Sequence, residues 1–205
     1  MFALVESGSI TKMMNGNKGI TIGDNQYPAS FFTSVYSEAE RNAVGVYTVE
    51  IDETNKKDEE WYLNTNITYS FSGGKVKGTY GTATGRAIAD TLYTETDKSN
   101  GDIPAGKDVG DVKDEGLKTI LIRQVKTDAK GNLKETDWYV TRKAEEGTAI
   151  PSSITTHRKA VRTKQAEMET AITNAADAPA LETLYTYTTT DGVTSRPLGE
   201  LPTLE

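Results

Sequence analysis

Between Ile154 and Ile172, the residues Ile154, His157, Val161, Gln165, Met168 and Ile172 recur at intervals of three or four. On a helix they fall within one narrow sector, so this stretch must bury one face against another element. An upstream run supplies a partner of the same kind. Leu117, Ile120, Leu121, Val125 and Ala129 repeat at helical spacing, and Gly131-Asn132 reads as the stop. Pro151-Ser152-Ser153 opens the later helix with Ser152 or Ser153 as its cap. Asp177 caps a third, shorter helix through Leu181 and Leu184, with Pro179 in the first turn where its missing amide is harmless. Residues 115–205 are therefore expected to form a helical hairpin module, closed by an extended, surface-laid segment from Arg196 to Pro202.

The front of the chain has a different period. Phe2–Glu6 reads as a strand, Ser7-Gly8 as a turn, and Ser9–Met13 as the returning strand. Ile20–Ile22 and Tyr27-Pro28 suggest a second extended piece, because the residue before a proline is pushed towards β geometry. Ser37-Glu38-Ala39-Glu40 is a capping box that starts a short helix, and Gly45 ends it where a left-handed residue is needed. Val46–Ile51 alternates as a half-buried strand does. Trp61 to Phe71 and Lys75 to Tyr80 are both β-prone and flank Gly73-Gly74, the pattern of a hairpin. Residues 81–93 fit either strand or short helix. Residues 1–93 are read as a small antiparallel β-rich module with one short helix, and residues 94–114 as a linker or long loop. The fold class expected is α+β.

Composition narrows the function. With 36% apolar residues the chain can bury a core, and a net charge of −7 gives no electrostatic footprint for nucleic acid. There is no cysteine, which removes disulfides and thiolate metal sites. Met1–Glu6 lacks the basic start and long apolar stretch of a signal peptide, and apolar runs such as Ile120–Ile122 are too short to cross a bilayer. The expectation is synthesis in the cytoplasm without membrane insertion.

Candidate chemistry is sparse. The single histidine, His157, lies on the apolar stripe and reads as structural, since a metal site needs several ligands. The glycine-rich stretch Gly78–Arg86 lacks the spacing of a phosphate loop and reads as a turn whose small residues permit close approach. Asp52/Glu53, Glu59/Glu60 and Asp111/Asp114/Glu115 could be imagined as acid–base pairs, yet they read as solvated loop charges without calcium-loop spacing. Asn66-Ile67-Thr68 matches a glycosylation acceptor by chance in a chain with no secretory signal. No cofactor is expected. Trp61, Tyr62 and Tyr69 could form an aromatic surface for sugars; in a regular strand Trp61 and Tyr69 would share a face and Tyr62 the opposite one. Burial of the same rings in a sheet core is the competing reading.

One constellation stands out. Thr136-Asp137-Trp138 follows the first long helix and precedes a second one that carries Arg158 and Arg162 one turn apart. Trp138 is expected to pack between the two helices, with Asp137 capping a turn or pairing with Arg158; the alternative is that both arginines form a solvated face.

These residues, with Arg158-x-x-Val161-Arg162, resemble the phage tail assembly chaperone family, in which a Thr-Asp-Trp motif is followed by an arginine-bearing helix and a short proline-containing end. The match spans roughly residues 117–175, with Pro197 and Pro202 following; His157 and Val161 stand where that family has Tyr and Leu, and the helix here runs on through Ile172. Met1–Glu6, Gln26-Tyr27-Pro28 and Ser37–Glu40 are also similar to uncharacterised tail or virion proteins of marine phages. The resemblance implies a non-enzymatic, oligomeric tail-associated protein, either a virion component or a fibre assembly factor. It would contact other tail or fibre proteins, in the host cytoplasm during assembly or in the finished particle. A host-surface carbohydrate-binding module, or a glycan-cleaving tail enzyme using two carboxylates, are the readings set against it.

Overall fold

A computed structural model describes residues 1–204. The chain is α+β, with a β-rich front and a helical rear. It divides into two compact units, Met1–Thr84 and Gly85–Glu205.

In the first unit, β1 (Phe2–Glu6) and β2 (Ser9–Met14) form a hairpin through Ser7 and Gly8, both at positive φ. That geometry twists in the same sense as the strands it joins. After the small hairpin β3 (Ile20–Ile22)–β4 (Asn25–Tyr27) and a 3-10 turn at Ala29–Phe32, the helix α1 (Glu38–Ala43) begins. Ser37 and Glu40 close the expected capping box reciprocally, and Gly45 follows α1 at φ 82°. Next come β5 (Val46–Asp52), the two-residue β6 (Tyr62–Leu63), β7 (Thr68–Ser72) and β8 (Lys75–Thr79).

The main sheet has the order β2-β1-β5-β8-β7, and its edge strands β2 and β7 approach each other. It is not purely antiparallel as expected, because β5 and β8 pair in parallel. The reason is the hairpin at Gly73-Gly74: it puts β7 on the outer edge and turns β8 back alongside β5 in the same direction. Alternation on β1 fills two cores. Ala3 and Val5 join Val49 and Val76 on one side, while Leu4 joins Ile20, Phe31, Phe32 and Val46 on the other. The sheet is thus covered on both faces over its centre.

The second unit holds more structure than its sequence suggests. The two-residue strand β9 (Thr84–Gly85) spans its start. The expected linker at 94–114 is ordered instead. Strand β10 (Thr91–Leu92) pairs with β11 (Val112–Asp114), and between them α2 (Glu95–Asn100) is capped by Thr94 and Asp97. The polar residues that suggested a linker supply a capping box and turns, and the division between units falls at Thr84/Gly85. The helices α3 (Leu117–Lys134), α4 (Asp137–Glu146), α5 (Ser152–Asn174) and α6 (Ala178–Tyr185) follow, then a hairpin of β12 (Thr188–Thr190) and β13 (Val193–Ser195).

α3 and α5 pack antiparallel, since Lys118 reaches Thr173 at one end while Asn132 meets His157 at the other. The stripes meet as expected, through Leu117, Leu121, Val125 and Ala129 on α3 and Ile154, Val161, Met168 and Ile172 on α5. Two helix ends differ from expectation. α3 passes through Gly131-Asn132 to Lys134, and Pro151, not a serine, occupies the cap position of α5. The tail is also less surface-laid than expected, because Leu198 is buried and its amide donates to the Leu184 carbonyl.

Candidate functional site

Helix α3 ends without a left-handed glycine. Its last carbonyls need donors from elsewhere, since four orphan C=O groups are left at any helix C-terminus. Arg158, reaching across from α5, supplies one of them: a guanidinium N–H donates to the Leu133 carbonyl at 2.9 Å. The same nitrogen donates to the Thr136 hydroxyl at 2.6 Å, and the second terminal nitrogen donates to Asp137 Oδ1 at 2.8 Å. Thr136 in turn donates its hydroxyl to Leu133 O at 2.9 Å. One planar cation therefore ties the end of α3, the two-residue junction and the first residue of α4. This is the multidentate geometry for which arginine is suited and lysine is not.

Burial explains why these groups depend on each other. Thr136 is 2% and Arg158 7% exposed, whereas the Asp137 side chain is 61% exposed. A buried guanidinium must find acceptors, and here the Thr136 hydroxyl is buried with it while the Leu133 carbonyl is partly so. Asp137 also opens α4, where a negative charge suits the positive end of the helix dipole. Of the two readings of these arginines, a pairing of Asp137 with Arg158 is what the structure contains.

Trp138 corrects the other half of the expectation. It is 50% exposed and does not pack between the helices. The buried place goes to the smaller Thr136, and the segment that follows is the helix α4. With Asp137 turned towards Arg158, the next residue along a helix points about 100° away. Trp138 stacks instead on Tyr139, with ring centroids 3.8 Å apart, and the Arg142 guanidinium lies 4.7 Å from the indole centroid. Arg162 stands apart from the clamp. It is exposed and lines an open groove with Leu133, Gln165, Ala166 and Glu169, while its own bond to the Arg158 carbonyl is long, 3.4 Å.

Sequence reasoning missed the part played by Thr136 and by the tail. His157 Nε2 lies 2.9 Å from Asn132 Oδ1, and Asn132 Nδ2 donates to the Pro202 carbonyl at 2.8 Å. Since the amide nitrogen is committed to Pro202, the imidazole must be the donor to Oδ1. His157 is a buried structural histidine, and its relay fastens residues near the chain's end to α3 and α5.

The aromatic surface read into the front unit does not form. Trp61 and Tyr62 are each 4% exposed. The regular strand assumed for 61–71 is broken between Leu63 and Thr68, where Asn66 takes φ 61°, so the alternation of faces does not carry through. Tyr69 lies over Gly78: a Cβ there would come within 2.9 Å of the ring and 2.8 Å of Ile51 Cδ1. The space left by that glycine is filled by Ile51 and Tyr69 of the same unit.

Asp52, Asp97 and Glu115 are engaged in local ties. Lys77 first, then Thr54, holds the Asp52 carboxyl well below the ordinary aspartate range. Lys113 first, then Thr94, does the same for Asp97. Glu115 is lowered chiefly by its paired hydrogen bonds with Arg123. A glycosidase general acid needs the opposite shift. Among the described residues, no three His, Asp or Glu side chains converge as metal ligands. Compared with family models, with curated proteins and with solved structures, the chain matches none.

Proposed function

We propose that this chain is a bacteriophage tail-associated protein that acts through protein–protein contacts, as a virion component or as a fibre assembly factor. The observation that carries the reading is the clamp itself. Of the residues on which the resemblance rests, Thr136 and Asp137 lie 22 and 21 positions before Arg158 and meet it in one hydrogen-bonded group, while Trp138 and Arg162 stand outside it. That contact between residues far apart in sequence is what supports the reading. The proposal gives the clamp a structural part, holding α3, α4 and α5 together, and leaves contact with other proteins to exposed surfaces nearby.

Mass spectrometry of purified particles, beside the solution mass of the isolated protein, tests it. Stoichiometric recovery in the tail fraction would make it a virion component, and co-purification with unassembled fibre protein alone would make it an assembly factor. Absence from both removes the assignment.

A further inference from the structure

We propose that the Trp138–Tyr139–Arg142 face of α4 is a docking platform for a carboxylate-bearing peptide segment of a partner protein. The inference rests on reading the chain as an interaction protein, though not on its place in a tail. α4 is a ten-residue helix with no buried residue. Its Trp138 is half exposed, leaving a large apolar ring available at the surface. Tryptophan, tyrosine and arginine are the side chains enriched at the energetic centre of protein interfaces, the aromatic ones because they offer wide contact area with few degrees of freedom.

The platform is already ordered. Trp138 and Tyr139 lie 3.8 Å apart with 31° between their planes, and the Arg142 guanidinium sits 4.7 Å and 5.5 Å from the two centroids. Spacings of three and four residues put Arg142 beside both rings on one helix face. Side chains fixed before binding lose less entropy on binding.

Charge decides the occupant. Arg123, Arg158 and Arg196 each hold a carboxylate, but among the described residues none lies within ion-pair distance of Arg142. Glu146 is four residues further on the same helix, a spacing that permits pairing, yet Arg142 turns to the rings. A guanidinium beside aromatic rings, with no carboxylate paired to it among the described residues, suits a carboxylate, and the indole next to it suits an apolar or aromatic neighbour of that acid.

The test is selection of a displayed library of random short peptides on the immobilised full-length chain. Enriched peptides should carry Asp or Glu next to an aromatic or large aliphatic residue. They should lose at least about tenfold in affinity for Trp138→Ala and for Arg142→Gln, and little for Arg123→Gln. A thermal melt of each variant confirms that the fold is retained, and Tyr139→Ala serves if Trp138→Ala fails to fold. Enrichment without acidic residues, or binding indifferent to both substitutions, overturns the proposal. So does a self-associated chain that Trp138→Ala returns to monomer, since the platform would then be filled by a second copy. Such a failure leaves recovery of the protein from particles untouched, so the two readings stand or fall separately.

Discussion

Arg158→Ala removes the one group that touches α3, the junction and α4 together, and its cost can be worked from the geometry. The guanidinium makes three hydrogen bonds of 2.6–2.9 Å. The arm to Asp137 ends on a side chain 61% exposed, so it contributes under about 1 kcal/mol. The arm to Thr136 Oγ1 is buried and the arm to Leu133 O partly so, and hydrogen bonds from a charged donor contribute about 1.5–3 kcal/mol each before partial exposure and non-additivity reduce the sum. Loss of the packed arginine stem adds to this. Arg158→Ala should therefore destabilise the second unit by about 3–5 kcal/mol. Asp137→Ala should cost about 0.5–1 kcal/mol, because the cation keeps its acceptors at Leu133 and Thr136. Urea unfolding of protein labelled with 5-fluorotryptophan reads the two units apart, since Trp61 lies in one and Trp138 in the other. The double variant should be less destabilised than the sum of the singles. Equal costs for the two single variants, or strict additivity in the double, would refute this account of the clamp.

Other parts of the fold give sharp expectations. Gly116→Ala would set a Cβ 2.3 Å from the Ala89 carbonyl carbon, and backbone cannot yield as a side chain does, so it should cost more than about 3 kcal/mol in the same unfolding assay. Gly78→Ala meets side chains instead and should cost about 1–3 kcal/mol, with part of it recovered when Tyr69→Leu trims the ring; no recovery would mean the clash lies elsewhere. The Asp97 carboxyl is held low by Lys113, so its stabilising effect is complete above the ordinary aspartate value near about 3.9 and fades as pH falls from there towards the folded-state value. Protection factors of the α2 amides, taken relative to intrinsic exchange at each pH, should therefore fall in acid. Lys113→Met should move that fall to higher pH, and coincident profiles would rule the ion pair out as its cause.

Much of the fold was legible wherever local rules acted without competition. Ser37–Glu40, Gly73-Gly74 and the α3 and α5 stripes each fix their geometry within a few residues. What was hidden depended on distant partners. Gly131 looks like a helix stop, but α3 continues because Arg158, far along the chain, caps its end. The parallel pairing of β5 with β8 follows from how the chain returns, and no periodicity records it. Trp138 seemed destined for the core by its size, yet the helix phase set by Asp137 gave that place to Thr136. One local signal was simply overlooked: Asp191-Gly192, both at positive φ, forms the turn of the β12–β13 hairpin.

The clamp and the platform are coupled through helix geometry. α4 buries no side chain, so apolar burial does little to fix its position. Its orientation is set at the first turn, where Asp137 and the adjoining Thr136 are held by Arg158, and the following residues inherit that phase. Arg158→Lys should expose this dependence. Lysine offers a point charge that cannot span three acceptors, while the Trp138, Tyr139 and Arg142 side chains are left intact. The fold should survive with a loss of about 1–3 kcal/mol, and the indole N–H signal of Trp138 should broaden as α4 samples other orientations. If that signal stays sharp and unshifted, α4 is positioned by something other than the buried arginine.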